Sequence, residues 1–314
     1  MYDTITLGLD TTNGGTSMKK LTEPKEMVDP NTGEWRYSGG KLHNLRVDIW
    51  PWRILVRGSL ARFHLGSNIE TLLREEAACA IERLSDELNQ PLARARVFRL
   101  DVAKTFVMKR PPAEYWRCLL PPPRMKRHEY SNEDLTFRNG QCSIVFYDKL
   151  AEMRQSRADI NDHTANGEDS RYTGHPYLLR FEVQFKKRLG QSFDEKEIRA
   201  TRLSHPTFYR KVVGKWATQY FKLGRVSPIQ RPAGAATVKS DVNFLATLGL
   251  QAFGAQSYLE AVDSDLRAGL IDKHQASRRR AKIRDLARGN GTMAAGGVLE
   301  ELDTKINQAV ASCH

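Results

Sequence analysis

The chain has 314 residues, 40% hydrophobic and 27% charged, and a mean hydropathy of -0.54. That length allows one large domain or two ordinary ones, and the composition excludes a membrane-embedded or disordered chain. Forty-nine Lys and Arg against 37 Asp and Glu give a net charge of +12 and a pI near 9.6; this points to an anionic polymer, nucleic acid first, although an evenly basic surface that binds nothing specific fits as well.

Cys79, Cys118, Cys142 and Cys313 are scattered with no C-x-x-C pair, so neither a zinc knuckle nor a disulfide framework is indicated and a reducing compartment is expected. The opening MYDTITLGLD alternates and carries an early acid, unlike a signal peptide, and no stretch approaches the ~20 apolar residues of a spanning helix. These features predict a cytoplasmic protein that does not enter a membrane.

In chain order, TITLGL reads as a strand and residues 11–40 as a long loop or irregular hairpin. LRVDIWPWRILVRG gives two extended segments interrupted at Pro51, and SLARFHLGSN a loop. Apolar residues at three- and four-residue spacing predict a helix over 69–88, with Asn68 as its N-cap. ARVFRLDVAKTFV is strand-like, PAEYWRCLL a short helix, and DLTFRNGQCSIVFYDK a hairpin turning at Asn139-Gly140. A polar connection over 154–174 leads to YLLRFEVQFKK, whose apolar residues alternate with Glu182 on the opposite parity. Beyond Gly190 helices take over, near 207–223, 242–259, 273–286 and 298–310, with a hinge at GNGTMAAGG. The reading is a domain over 1–190 that mixes strands and helices, followed by a helical region over 191–314.

Three strand-like segments each carry one reactive residue: Asp101 in RLDVAKTF, Tyr147 in SIVFYDKL and Glu182 in LLRFEVQF. Asp101 and Glu182 supply the hard oxygens that Mg2+ or Mn2+ takes beside water and phosphate, although a strand with one wet face carries acids freely. A tyrosine at a strand end usually packs, and a phenol with its ordinary pKa near ~10 needs a cation to become a nucleophile. Lys149 shares the face of Tyr147 if the strand continues, and is a surface lysine opening a helix if it does not. No His-x-His pair, H-E-x-x-H, G-x-S-x-G or Walker loop offers other chemistry. Basic residues beside aromatics recur in RFEVQFKKR, TFYRKVVGKWATQYFK and RRRAKIR, a mixture that grips phosphates and stacks on bases. The second equally suits a helix whose Phe208, Trp216 and Tyr220 face a core.

Taken in order, MYDTITLGL, SLARFHLGSN with its G-x-N ending, RLDVAKTF, IVFYDKL and LLRFEVQ resemble the gene-II/gene-X rolling-circle replication initiators of filamentous phages and related plasmids. The likeness runs from the N-terminus to about Lys187. It implies an α+β fold, mainly antiparallel sheet with flanking helices as in Rep endonucleases, ahead of the helical C-terminal region. It further implies Tyr147 as a nucleophile that nicks one strand, forming a 5′-phosphotyrosine and a free 3′-hydroxyl primer, with Lys149 beside it and Asp101 and Glu182 on the metal. A single tyrosine in the key strand implies a single-nucleophile enzyme. Where some relatives carry an acid before Ser59 this chain has Arg57, which leaves the third ligand open among His64, Asp48 and Asp3. Origin DNA, with a host helicase and polymerase, are the implied partners in a bacterial cytoplasm, and Arg124, Lys126, Arg127, Arg180, Lys186, Lys187 and Arg188 are the expected DNA contacts. The alternatives are a non-catalytic DNA-binding regulator and a metal nuclease in which water attacks.

Overall fold

A computed structural model describes residues 1–11, 20–131, 134–160, 172, 174–226, 254–288, 296–313 and six residues between 242 and 250. The first half is built from β1 (Tyr2–Asp10), β2 (Thr22–Val28), β3 (Trp35–Leu42), β4 (Leu45–Trp50), β5 (Arg53–Ser59), α1 (Leu60–Leu65), α2 (Arg74–Leu88), β6 (Arg96–Val107) and α3 (Pro112–Trp116). Then come β7 (Leu119–Leu120), β8 (Lys126–Ser131), β9 (Asp134–Arg138), β10 (Cys142–Asp148), α4 (Lys149–Ile160), β11 (Leu178–Phe185), α5 (Leu189–Ser192), α6 (Pro206–Phe221) and β12 (Gly224–Arg225). Three further helices, α7 (Ala255–Arg267), α8 (Lys273–Arg288) and α9 (Gly296–Ala311), complete the described chain.

Ten strands form one antiparallel sheet in the order β2-β3-β4-β5-β1-β6-β11-β10-β9-β8, and β7 pairs with β12 apart from it. The fold is α+β, as the motif order implies. Because side chains alternate across a strand, one face collects Ile5, Leu7, Leu100, Val102, Phe181, Val183, Ile144 and Phe146, all buried. Helix α6 presses Trp216 against Phe181, with ring centroids 4.8 Å apart, and Tyr220 against Phe181 at 5.6 Å. Helices α2 and α9 add Ala80, Leu84, Leu302 and Ile306 to the same core, whereas α7 and α8 pack around small clusters of their own. The aromatics Phe208, Trp216 and Tyr220 thus serve the core, not an exposed stacking surface.

Several local expectations give way. Residues 22–42 form the hairpin β2–β3, while residues 12–19 lie outside the described residues. SLARFHLGSN is the helix α1, because Ser59 Oγ accepts from the Arg62 amide and Gly66 ends it in the left-handed region at φ 77°. Helix α2 starts at Arg74, five residues later than its periodicity suggests: Leu72 is pulled into a bridge with Tyr2, and Glu76 receives the Leu73 amide at 2.7 Å. The Asn139-Gly140 turn uses no positive backbone angle; Asn139 Oδ1 instead accepts from the Gln141 and Cys142 amides. Residues 154–160 continue α4, and the rest of the expected polar connection, save Tyr172 and Gly174, lies outside the described residues. The helix expected near 242–259 is described as α7 only from Ala255, and residues 289–295 of the expected hinge lie outside the described residues.

Trp216→Ala removes the largest ring between α6 and the sheet and should destabilise the fold by about 3–5 kcal/mol. Urea unfolding monitored by circular dichroism measures the loss.

Candidate active site

The opposite face of the central strands is polar. Register places Tyr147 beside Arg180 and Arg180 beside Thr105; one step along, Val145, Glu182 and Ala103 are aligned, then Ser143, Gln184 and Asp101. Paired residues share a face, so Tyr147, Arg180, Glu182 and Asp101 stand together, and Asp3 of β1 reaches the same group through Arg180. Arg180 is fully buried: Nη2 donates to Asp3 Oδ2 at 2.5 Å, and Nη1 to the Asn68 carbonyl at 2.7 Å and to Thr105 Oγ1 at 3.2 Å. Its Nε lies 3.8 Å from Glu182 Oε2 and, among the described residues, donates no hydrogen bond.

The covering layer is the segment between α1 and α2. Gly66 turns the chain out of α1, and Asn68 then ties two cations down: its carbonyl takes Arg180 and its Oδ1 takes Lys149 Nζ at 3.0 Å. That contact accounts for the G-x-N element, and it replaces the expected capping role of Asn68. Strand β10 ends at Asp148, so Lys149 opens α4 and the shared-strand-face reasoning fails. The lysine is nevertheless buried, bonded to Glu152 at 2.6 Å, with Nζ 5.9 Å from the Tyr147 ring centroid.

Burial first, and then charge, governs the titration of the group. Asp3, Asp101 and Glu182 face the guanidiniums of Arg99 and Arg180, and the ammonium groups of Lys186 and Lys149 act on them as well. Burial, with Glu182 and Asp3 close by, pushes the Asp101 carboxyl up to about 7 although Arg99 grips both its oxygens, at 2.9 and 2.6 Å. Burial and then Asp3 raise Glu182, whose Oε1 accepts from Gln184 at 2.6 Å. Burial also raises the phenol of half-buried Tyr147, which Arg180 opposes, and lowers the ammonium of Lys149. Of the three candidates for a further ligand, Asp3 sits with these acids. Asp48 is buried elsewhere among Tyr37, Arg46 and Arg57, and His64 lies in α1 with Nδ1 buried and, among the described residues, unpartnered. Among the described residues no three His, Cys, Asp or Glu side chains are already arranged as a metal cage.

Residues 1–218 match the family of phage replication-associated proteins of the gene-II type, over its N-terminal region. The chain belongs to that family. No curated protein matches it. Membership in the gene-II family supports a role as a replication initiator, which would bind origin DNA. The matched region takes in every strand of the ten-stranded sheet and most of α6. No described helix is long and apolar enough to cross a membrane.

The expected DNA contacts of this gene-II-type chain fall into two groups. Arg124, Lys126, Lys186, Lys187 and Arg188 are exposed, and Arg127 is half-buried, donating to the Leu119 carbonyl at 2.7 Å. Arg180 has no exposed surface, so its place among exposed DNA contacts is corrected: it is the internal cation of the acid group. Asp3 as its partner, Arg99 and Asn68 were not singled out for these roles. For Arg99 the signal was in the sequence, since it precedes Asp101 by two residues and shares its face, as Arg180 does with Glu182.

Arg180→Met should destabilise the protein by about 3–5 kcal/mol by stranding Asp3, and adding Asp3→Asn should recover part of that loss. A double-mutant cycle of urea midpoints measures the coupling.

Proposed function

We propose that this chain is a rolling-circle initiator that nicks one strand of origin DNA with Tyr147. The observation carrying the reading is the ladder on one sheet face, Tyr147 beside Arg180 with Glu182 and Asp101 next along. In the reaction the Tyr147 oxygen forms a bond to the scissile phosphorus as the bond to the 3′ oxygen breaks. The phenol proton leaves to solvent, and the departing oxygen is protonated to a 3′-hydroxyl while the 5′ side stays on the tyrosine. A buried phenol resists that proton loss, and Arg180 is the neighbouring charge that works against the resistance. Lys149, fixed by Asn68 and Glu152, stands with Nζ 5.9 Å from the ring centroid and helps to orient it.

Asp101 and Glu182, with Asp3, are the residues that would hold a divalent cation. Their chemistry fits: hard oxygens brought together on one sheet face, on carboxyls that burial and then neighbouring acids raise. When bound, Mg2+ or Mn2+ supplies charge stabilisation at the phosphate. Arg99 holds both Asp101 oxygens and would have to yield one of them. A host helicase and polymerase complete the proposed partners, and the bacterial cytoplasm the proposed setting. The division at about residue 190 is retained as a functional one, with the helical region serving DNA or partner binding.

Incubation with an origin oligonucleotide and Mg2+ should give a DNA-linked species on a denaturing gel. Tyr147→Phe should abolish it, and Asp101→Asn or Glu182→Gln should lower it by at least roughly 100-fold. Undiminished adduct in Tyr147→Phe rejects the nucleophile, and cutting without any adduct favours attack by water.

A further inference from the structure

On the same polar face, away from Tyr147, lies a cleft of about 630 Å³ that the site chemistry does not use. Its walls are aromatic and basic: Trp50, Trp52 and Phe98 alternate with Arg53, Arg57 and Arg99, and Lys186 closes one end. Two local features build it. The β4–β5 hairpin turns at Pro51 and Trp52, between the paired Trp50 and Arg53, leaving Trp52 63% exposed. In β6 the register jumps from Thr6 beside Arg99 to Leu7 beside Val97. The bulge turns Phe98 to the same side as Arg99, where strict alternation would send it into the core.

Phe98 has a seat because residue 8 is glycine. A Cβ there would come within 2.4 Å of the ring. The guanidiniums of Arg96 and Arg53 stand 5.0 and 5.7 Å from the ring centroid. Among the described residues no carboxylate lines the cleft; Asp10, Asp48 and Asp101 bind Arg53, Arg57 and Arg99 from its margin. An exposed tryptophan beside cations suits an unpaired base with its phosphates, whereas a duplex keeps its base faces stacked.

We infer that this cleft holds a single-stranded segment of DNA, stacking an unpaired base on Trp52 and tracking the backbone with Arg53, Arg57 and Lys186. The inference rests on the proposed function for the ligand being DNA. Arg99 joins the two places, since it lines the cleft and grips Asp101. A strand lying in the cleft therefore leads to the acid group across one side chain.

The test uses the full chain, in chelator so that no cleavage occurs, with an oligothymidylate of about 15 nucleotides. DNA should quench tryptophan fluorescence, because exposed Trp52 and half-buried Trp50 both line the cleft, whereas Trp116 and Trp216 are buried. Trp52→Ala should weaken binding roughly tenfold and reduce the quench, leaving the share due to Trp50, with Trp52→Phe between in affinity. Its thermal midpoint should not change, as the side chain is exposed. Unchanged affinity and quench in Trp52→Ala, or a duplex of equal length that binds as tightly and depends equally on Trp52, overturns the cleft assignment. Since cleavage plays no part, failure of the Tyr147 adduct and failure of this binding are separate results.

Discussion

A guanidinium inside a protein is tolerable only where its donors meet carboxylates or carbonyls, because the charge has lost its water. Arg180 meets that demand with groups from four separate parts of the chain: Asp3 on β1, Asn68 and Ile69 on the covering segment, Thr105 on β6, and Glu182 on its own strand. Each of these is thereby held against the centre of the sheet. The same arginine stands beside Tyr147 in register and is the cation nearest in effect to its phenol. One buried charge therefore fixes the covering segment, orders the acids and acts on the Tyr147 phenol.

The acid group is a consequence of that arrangement. With Asp3 committed to Arg180 and Asp101 to Arg99, Glu182 has only Gln184 in hydrogen-bond contact among the described residues, and Arg180 at longer range. Burial, with the neighbouring acids adding to it, raises both Asp101 and Glu182. Both carboxyls sit where a proton or a cation is favoured, whereas a surface pair would be screened by solvent.

Periodicity made β10 and β11 readable because their core-facing residues alternate, and the same parity set Glu182 apart from the core, whereas β6 alternates imperfectly around Leu100 because of its bulge. What it missed depends on partners far away in sequence. The stretch 69–73 carries a helical apolar pattern, yet Tyr2 takes Leu72 as a strand partner and Arg180 takes the Asn68 and Ile69 carbonyls. Lys149 opens a helix, as a surface lysine would, yet is buried because Asn68 covers it. Arg180 looked like a DNA contact because its charge is visible in the sequence, whereas its burial depends on Asp3, 177 positions away. The family resemblance carried further because the G-x-N and R-F-E elements record these long-range contacts as residue identities.

The two faces of the sheet also divide its tolerance of irregularity. Below, Phe181 and Trp216 demand an unbroken apolar surface, and β11 keeps strict alternation over its whole length. Above, β6 is free to bulge at Phe98, and the extra residue lies over Gly8 beside Arg99 instead of distorting the core. The bulge falls three residues before Asp101, close enough to aim Arg99 at that acid and far enough to leave the pairing of β6 with β11 intact. Straightening the bulge while the residues before it kept their faces would exchange the faces of Arg99 and the residues after it. It would send Asp101 into the core and Leu100 to the polar face. The position of this one irregularity is therefore tied to the acid group as strictly as any ligand would be.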